Sequence, residues 1–367
     1  ALISDIHFGK LSTTPELTTA NEPLAIGRII NGKPLFSGLL DILKQNIPDY
    51  LFIAGDLTST GSPLEFRDCY RRIQELCIHI GRPQEKGVLC MGNHDIDWRI
   101  TSLVASYDLN HSTNANDLTF ITDQYHEAAR SWAMSTATGG RAFLHDQLTT
   151  ACHTIPCAGV IDNQDCVIFV LNSGFSCTND QEHKHGLLSQ VQLAWLRSET
   201  DRYRDIEKPK IILLHHHPFN YSFPTSGVDI STLEEGSELY DLCGQMGIDL
   251  VLHGHRHHPK AKTVNETGWR KPVTYICSGS LSVNASHRAE GSIPNTFHII
   301  EFENTSEIHL FNYMYGATTG WVPTISSSAE IPVDGEMLLG QVVNEEIARQ
   351  LIDALPVDRE IKYIDVP

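Results

Sequence analysis

The sequence predicts an α/β protein whose chemistry gathers at the carboxyl ends of its strands. Three observations point there: short apolar runs that stop abruptly at polar, metal-competent side chains, helical stretches between those runs, and a change to hairpin-like β pattern after the last of them.

Taken in order, Ala1-Leu2-Ile3 breaks off into Ser4-Asp5-Ile6-His7, the pattern of a buried strand presenting polar residues at its tip. Leu35 to Lys44, ahead of Pro48, predicts a helix. Tyr50 to Ala54 runs into Gly55-Asp56, and Pro63 to Leu76 predicts a second helix with proline in its first turn. Gly87 to Met91 runs into Gly92-Asn93-His94-Asp95. The polar stretch from about 97 to 150 continues no core element and reads as an insertion. Ser189-Gln190-Val191-Gln192 has the form of a capping box, with Ser189 as N-cap and Gln192 at the third helical position, ahead of Leu193 and Leu196; Trp195 is expected in the core. Lys210 to Leu214 then runs into His215-His216-His217-Pro218, and Asp249 to Leu252 into His253-Gly254-His255-Arg256-His257. Val273 to Cys277, Thr296 to Phe302 and Glu307 to Tyr313 are strand-like, the last two joined by a short polar turn, so a second sheet is expected to pack on the first. The main domain is expected over 1–323, with an extension over 324–367 in which Glu345 to Leu355 has helical spacing. No internal repeat is visible.

A chain of 367 residues, 41% hydrophobic, is long enough to bury a sizeable core. Its 27 basic against 45 acidic residues, a formal net charge of -18, disfavour a nucleic-acid partner bound by phosphate neutralisation. The nine cysteines form no CxxC pair, which reads as reduced thiols and a cytoplasmic location. No apolar run approaches the ~18 residues of a membrane span. The first residues carry no leader pattern, although the chain opens on Ala1, so a leader removed upstream would leave no trace.

The strand tips offer Asp5, His7, Asp56, Asn93, His216, His255 and His257. Carboxylate, amide and imidazole together suit divalent Mn, Fe or Zn, and the missing thiolates disfavour a structural zinc site. Seven ligands exceed one four-coordinate ion and match two ions sharing a bridge, for which Asp56, after a glycine at a strand end, is the natural residue. Within Gly92-Asn93-His94-Asp95, consecutive side chains cannot all reach one ion from a strand or helix, so they are expected to do different work.

Asp5-x-His7, Gly55-Asp56, Gly92-Asn93-His94-Asp95, a His-Pro segment and Gly254-His255-x-His257, in this order, resemble the calcineurin-like metallophosphoesterases. The resemblance covers about residues 1–260 and implies a two-sheet αββα sandwich with the metal site at the carboxyl ends of the strands. It implies one metal held by Asp5, His7, Asp56 and His257, and a second held by Asp56, Asn93, His216 and His255. His216 stands two residues before the proline, as the family pattern has it, with His215 as the alternative. His217 and His253 are then supporting or packing residues. It further implies that His94 faces the scissile phosphate, as a stabiliser of a phosphate oxygen or as the acid for the leaving group, and that Asp95 accepts a hydrogen bond from His94 and orients it. Asn93 and His94 would both meet the substrate.

The segment HGLLSQVQLAWL, His185 to Leu196, is similar to a helix start of the family's bacterial cyclic-nucleotide phosphodiesterase-like members. The function expected is therefore dinuclear metal-dependent hydrolysis of a small phosphodiester, a cyclic nucleotide foremost, by metal-activated hydroxide. A nuclease or phosphomonoesterase of the same family and a non-catalytic scaffold are the alternatives, and the 324–367 segment leaves room for a homodimer. His79, His111, His126, His145, His153, His298 and His309 read as surface or satisfied histidines, and His287 with Arg288 as a loop within reach of substrate.

Overall fold

The computed structural model describes residues 1–18, 32–81, 87–96, 150–151, 157–174, 186–219, 232–285, 293–304, 307–324, 329–330 and 336–338. The insertion before Thr150, Glu345 to Leu355, His185, His287 and Arg288 lie outside the described residues, as do His111, His126, His145 and His153.

The expected strands form as β1 (Leu2–Ile3), β2 (Leu51–Ala54) and β3 (Gly87–Cys90). They are followed by β4 (Thr150–Ala151), β5 (Gly159–Asp162), β6 (Val167–Val170), β7 (Lys210–Leu213) and β8 (Leu250–His253). Then come β9 (Lys260–Val264), β10 (Val273–Cys277), β11 (Asn295–Asn304), β12 (Glu307–Gly316), β13 (Gly320–Pro323), β14 (Ala329–Glu330) and β15 (Glu336–Leu338). The first sheet has the order β13-β12-β11-β1-β2-β3 with β14 also on β12; the second runs β15-β9-β10-β8-β7-β6-β5-β4. In the first, β1, β2 and β3 are parallel, and in the second, β6, β7, β8 and β10 are.

Alternation along each strand builds the layers. Leu2, Phe52, Ala54, Val88 and Cys90 meet Ile168, Val170, Ile211, Leu213, Leu250 and Leu252 in a core between the sheets. The intervening Ile3, Ile53 and Leu89 point outward to α1 (Leu35–Gln45) and α2 (Pro63–His79), while Phe169, Ile212, Val251 and Tyr275 point outward to α3 (Gln190–Arg202) and α4 (Gly236–Met246). This is an αββα sandwich, and burial on both faces explains why its central strands read as unbroken apolar runs.

The helices start where the sequence places them. The α1 amides of Leu35 and Phe36 donate to Glu16 Oε2 at 2.6 and 3.0 Å, a carboxylate brought to the positive end of the helix. Ser62 caps α2 by accepting from Glu65 N, with Pro63 at the first helical position. Ser189 caps α3 through Gln192 N. The expected capping box is only half present, because Gln192 is fully buried and its amide clamps Asn172 instead, accepting from its N at 3.0 Å and donating to its carbonyl at 3.1 Å. Trp195 packs at the margin of the outer core.

The strands run past residue 323. β14 pairs with β12 of the first sheet and β15 with β9 of the second, so the segment taken as an extension contributes to both sheets. Among the described residues no helix is long and apolar enough to cross a membrane.

Candidate metal centre

β1, β2 and β3 lie side by side, as do β7 and β8, and the loops at their carboxyl ends meet across the sandwich. Asp5 (φ 52°), His7 (45°), Asp56 (50°), His255 (78°) and His257 (54°) all adopt left-handed backbone; Cys157 (58°) is the one other non-glycine to do so among the described residues. Each such residue costs about 1–3 kcal/mol, a cost that persists where surrounding contacts over-determine the conformation. Gly55 (φ 83°) abuts His215: a Cβ there would stand 2.6 Å from Nδ1. A Cβ on Gly92 would stand 2.2 Å from Asp56 Oδ1, so any larger residue would displace the carboxylate between the two clusters.

The first cluster holds Asp5, His7 and His257. Ser4 Oγ and His255 N donate to Asp5 Oδ2 at 2.6 and 3.1 Å, which turns Oδ1 toward the cluster. Oδ1 lies 3.2 Å from His257 Nε2 and 3.8 Å from His7 Nε2, and His7 Nε2 lies 3.3 Å from Asp56 Oδ2.

The second cluster holds Asp56, His215 and His255, with Asn93 beside them. His215 Nε2 is 3.3 Å from Asp56 Oδ2, 3.1 Å from Asn93 Oδ1 and 3.2 Å from His255 Nδ1. Its Nδ1 is tied to the Ala54 carbonyl at 2.7 Å, which fixes the ring with Nε2 inward. His216, the residue the His-x-Pro spacing selects, turns the other way, with Nδ1 2.9 Å from Ser173 Oγ, although its ring centre lies 4.3 Å from that of His255, tilted by 48°. The reason is strand alternation continued one step beyond β7. Ile211 and Leu213 face the first sheet and so does His215, whereas Ile212 and Leu214 face the helices. That period of two was the signal in the sequence for His215.

His94 N donates to Asp56 Oδ1 at 2.8 Å, leaving Oδ2 directed at both clusters. The His94 Nδ1 lies 3.1 Å from the Ser59 carbonyl, and a ring nitrogen of His94 lies within 4.8 Å of ligand atoms of His7 and Asp56. Asp95 does not orient that ring. The tight turn over Asn93–Asp95 folds its carboxylate back onto Gly92 N (2.9 Å), Thr58 N (2.9 Å) and Thr58 Oγ1 (3.1 Å), so it braces the two loops instead.

Charge follows the same geometry. Burial works against ionising Asp5, but the His257 charge and hydrogen bonds from His257 and His7 hold it well below the usual carboxylate range. Burial likewise opposes protonation of His7 and His215, yet the Asp56 carboxylate raises them to about 10 and about 9. For His255 burial, then the charges of His216 and His215, pushes protonation well down. Burial lowers His94 to about 4, and burial followed by the Asp56 charge raises Asp95 to about 7. Asp5 Oδ1 and the His7 ring nitrogens are buried in a cluster made of ligand-type atoms alone, with His257 Nε2 3.2 Å from Asp5 Oδ1 and Asp56 Oδ2 3.3 Å from His7 Nε2. Such a donor set fits a divalent cation in each cluster. His94, His255 and His257 are the half-buried members, so the centre opens on their side.

Two carboxylates, an amide and imidazoles converging at the strand tips of an αββα sandwich define a candidate dinuclear metal centre. The chain belongs to the calcineurin-like phosphoesterases, whose sequence pattern matches residues 1–259. Among solved structures it is similar to purple acid phosphatase PPD1 from yellow lupin (Lupinus luteus), with a TM-score of 0.51 and 13% identity over 98% of this chain and 56% of that one. The chain thus spans little more than half of that protein, and at this identity the likeness concerns the fold alone. Lower-scoring likenesses are to PhoD (TM-score 0.47, 10% identity, 96% of this chain and 77% of that one) and to a dimetal phosphatase from Danio rerio (0.45, 11%, 89% and 98%). No curated protein matches the chain.

Proposed function

We propose that the chain is a dinuclear metal-dependent phosphohydrolase that cleaves a small phosphodiester, with cyclic nucleotides as the leading class. One observation carries the two-metal reading: Asp56 Oδ2 lies 3.3 Å from His7 Nε2 and 3.3 Å from His215 Nε2, the position of a bridging oxygen. Asp5, His7, Asp56 and His257 would hold one ion, and Asp56, Asn93, His215 and His255 the other. Bound there, the ions would supply Lewis acidity, an activated water and compensation for charge growing on the phosphoryl oxygens.

The chain's own groups do the rest. His94 borders the open side with Asn93 buried beside it, and a phosphate ester would enter past His255 and His257. His94, held by Ser59 at the ring and by Asp56 and Thr58 at the backbone, would donate to a phosphoryl oxygen or to the leaving oxygen as the imidazolium, since a neutral ring spends its one N–H on the Ser59 carbonyl; burial lowers that protonated form to about 4, and the negative charge of a bound phosphate works the other way. The diester preference rests on the likeness of residues 185–196 to cyclic-nucleotide phosphodiesterase-like sequences. Within that stretch Gln192 fixes the Asn172–Ser173 loop that in turn holds His216. The formal charge of -18 argues against a nucleic-acid groove. Seven free thiols among the described residues suit a reducing compartment such as the cytoplasm.

The test is hydrolysis by the full chain loaded with Mn, Zn or Fe/Zn. Bis(p-nitrophenyl) phosphate and cyclic nucleotides should turn over faster than p-nitrophenyl phosphate, and DNA and RNA should survive at low salt. Turnover of the monoester alone would remove the diester preference, and no turnover of any ester would sink the hydrolase reading.

A further inference from the structure

The segment after β10, Ser278-Gly279-Ser280-Leu281-Ser282-Val283-Asn284, crosses from the second sheet to the tip of β1 and lies along the loop that carries Asp5 and His7. Leu281 N donates to the Ser4 carbonyl at 2.8 Å. Ser280 Oγ donates to the Asp5 carbonyl at 3.0 Å, and Ser282 N approaches the same oxygen at 3.4 Å. Ser282 Oγ donates to the Ile6 carbonyl. Ser59 Oγ, from the loop after β2, completes the row at the His7 carbonyl, 2.8 Å away. Four consecutive carbonyls of a loop with two left-handed non-glycine residues are thus each met by a donor.

The hydroxyls are themselves fixed. Val283 N donates to Ser280 Oγ at 2.7 Å, Ser12 Oγ approaches Ser282 Oγ at 3.2 Å, and Thr296 N on β11 donates to the Ser280 carbonyl at 2.8 Å. Ser280 and Ser282 are fully buried, so solvent does not account for them, and their hydroxyls bond backbone groups and Ser12 rather than a candidate ligand side chain. β10 is bonded in parallel to β8, whose tip carries His255 and His257. The strap therefore ties the strand beside the imidazoles of the second sheet to the backbone of the Asp5–His7 loop in the first.

We propose that Ser280 and Ser282 are positioning residues for the first metal pocket: they hold the Asp5–His7 loop in the left-handed conformation in which Asp5 and His7 converge with Asp56 and His257. The inference rests on the two-metal reading above. The second pocket shares Asp56 and His255 with this loop, through His7 N on the Asp56 carbonyl and His255 N on Asp5 Oδ2, but its His215 is held by the Ala54 carbonyl and faces Asn93, neither of which Ser280 or Ser282 bonds, so the serines should affect it less.

The experiment titrates Mn2+ calorimetrically into the full chain carrying either His215→Ala, which leaves the first pocket, or His257→Ala, which leaves the second. Each is compared with and without Ser280→Ala and Ser282→Ala. The serine changes should weaken binding roughly 10–100-fold in the His215→Ala background, the usual range for groups that orient ligands, and by less than about twofold in the His257→Ala background. Thr263→Val, which removes a buried hydroxyl bonded to Thr274 on the far strands, should leave both affinities unchanged and controls for general loss of stability. If the double change prevents folding, Ser280→Ala alone is read in the same way. Equal loss in both backgrounds, or no loss in either, overturns the positioning role. A chain without serine changes that takes up no metal overturns the two-metal reading itself, a distinct result.

Discussion

The strand tips of the two sheets deliver different chemistry to one centre. The first sheet contributes Asp5, Asp56 and Asn93 as oxygen donors, with His7 and His94 among them, whereas the second contributes only imidazoles, His215, His255 and His257. Negative charge is thus confined to one side of the cleft, and a histidine's state depends on whether it faces that side. His7 and His215, 3.3 Å from the Asp56 carboxylate, are pushed up to about 10 and about 9, while His298, buried between the sheets opposite Leu2 with no carboxylate beside it, is pushed down to about 3 by burial. Burial acts alike on all three, and the neighbouring charge decides the sign.

The sharpest way to break this asymmetry is Asp56→Asn, which removes the one oxygen shared by both clusters. Metal content should fall below one ion per chain and affinity by more than the roughly 10–100-fold lost with outer hydrogen-bond partners; two ions retained would refute the bridge. Next is the second sheet's side: His215→Ala should lower the content from two ions to one, while His216→Ala should keep two, and elemental analysis of the purified proteins distinguishes them. His94→Ala should keep both ions and reduce turnover roughly 10²–10⁴-fold, the range of a lost general acid; unchanged turnover would exclude His94 from the reaction.

The smallest effect concerns His298. Its protonation midpoint is near 3 when folded and near the ordinary 6.5 when unfolded, so between those values the unfolded chain takes up a proton that the folded chain does not. Stability should therefore fall as pH drops below 6.5, by up to about 1.4 kcal/mol per unit from this group, and level off near pH 3. His298→Gln should flatten the denaturant midpoint against pH between 6 and 4. A slope equal to the parent's would mean that His298 titrates normally.

Much of this was legible in the residues. Apolar runs ending at Asp5, Asp56, Asn93, His215 and His255 announced buried strands with a site at their tips, because strands buried on both faces must be apolar throughout and can turn polar only where they leave the sheet. The caps at Ser62 and Ser189 were legible for a similar reason: the side chain, the turn and the helix start lie within a few residues. Gln192 shows the limit. Its spacing from Ser189 satisfies a local motif, yet a tertiary partner, the backbone of Asn172, claims its amide.

The sequence by itself determined the ligand types, the strand ends that carry them and the family, since these follow from residue identity and short-range pattern. Only the tertiary structure decided which histidine of the triplet faces Asp56, that Asp95 braces Thr58 and Gly92 rather than His94, and that Ala329–Glu330 adds a strand to the first sheet and Glu336–Leu338 one to the second. Either a deciding partner is distant in sequence, as Thr58 is from Asp95 and β9 from β15, or the competing positions are chemically identical neighbours. Direction across the sheet, which only packing sets, then chooses between them.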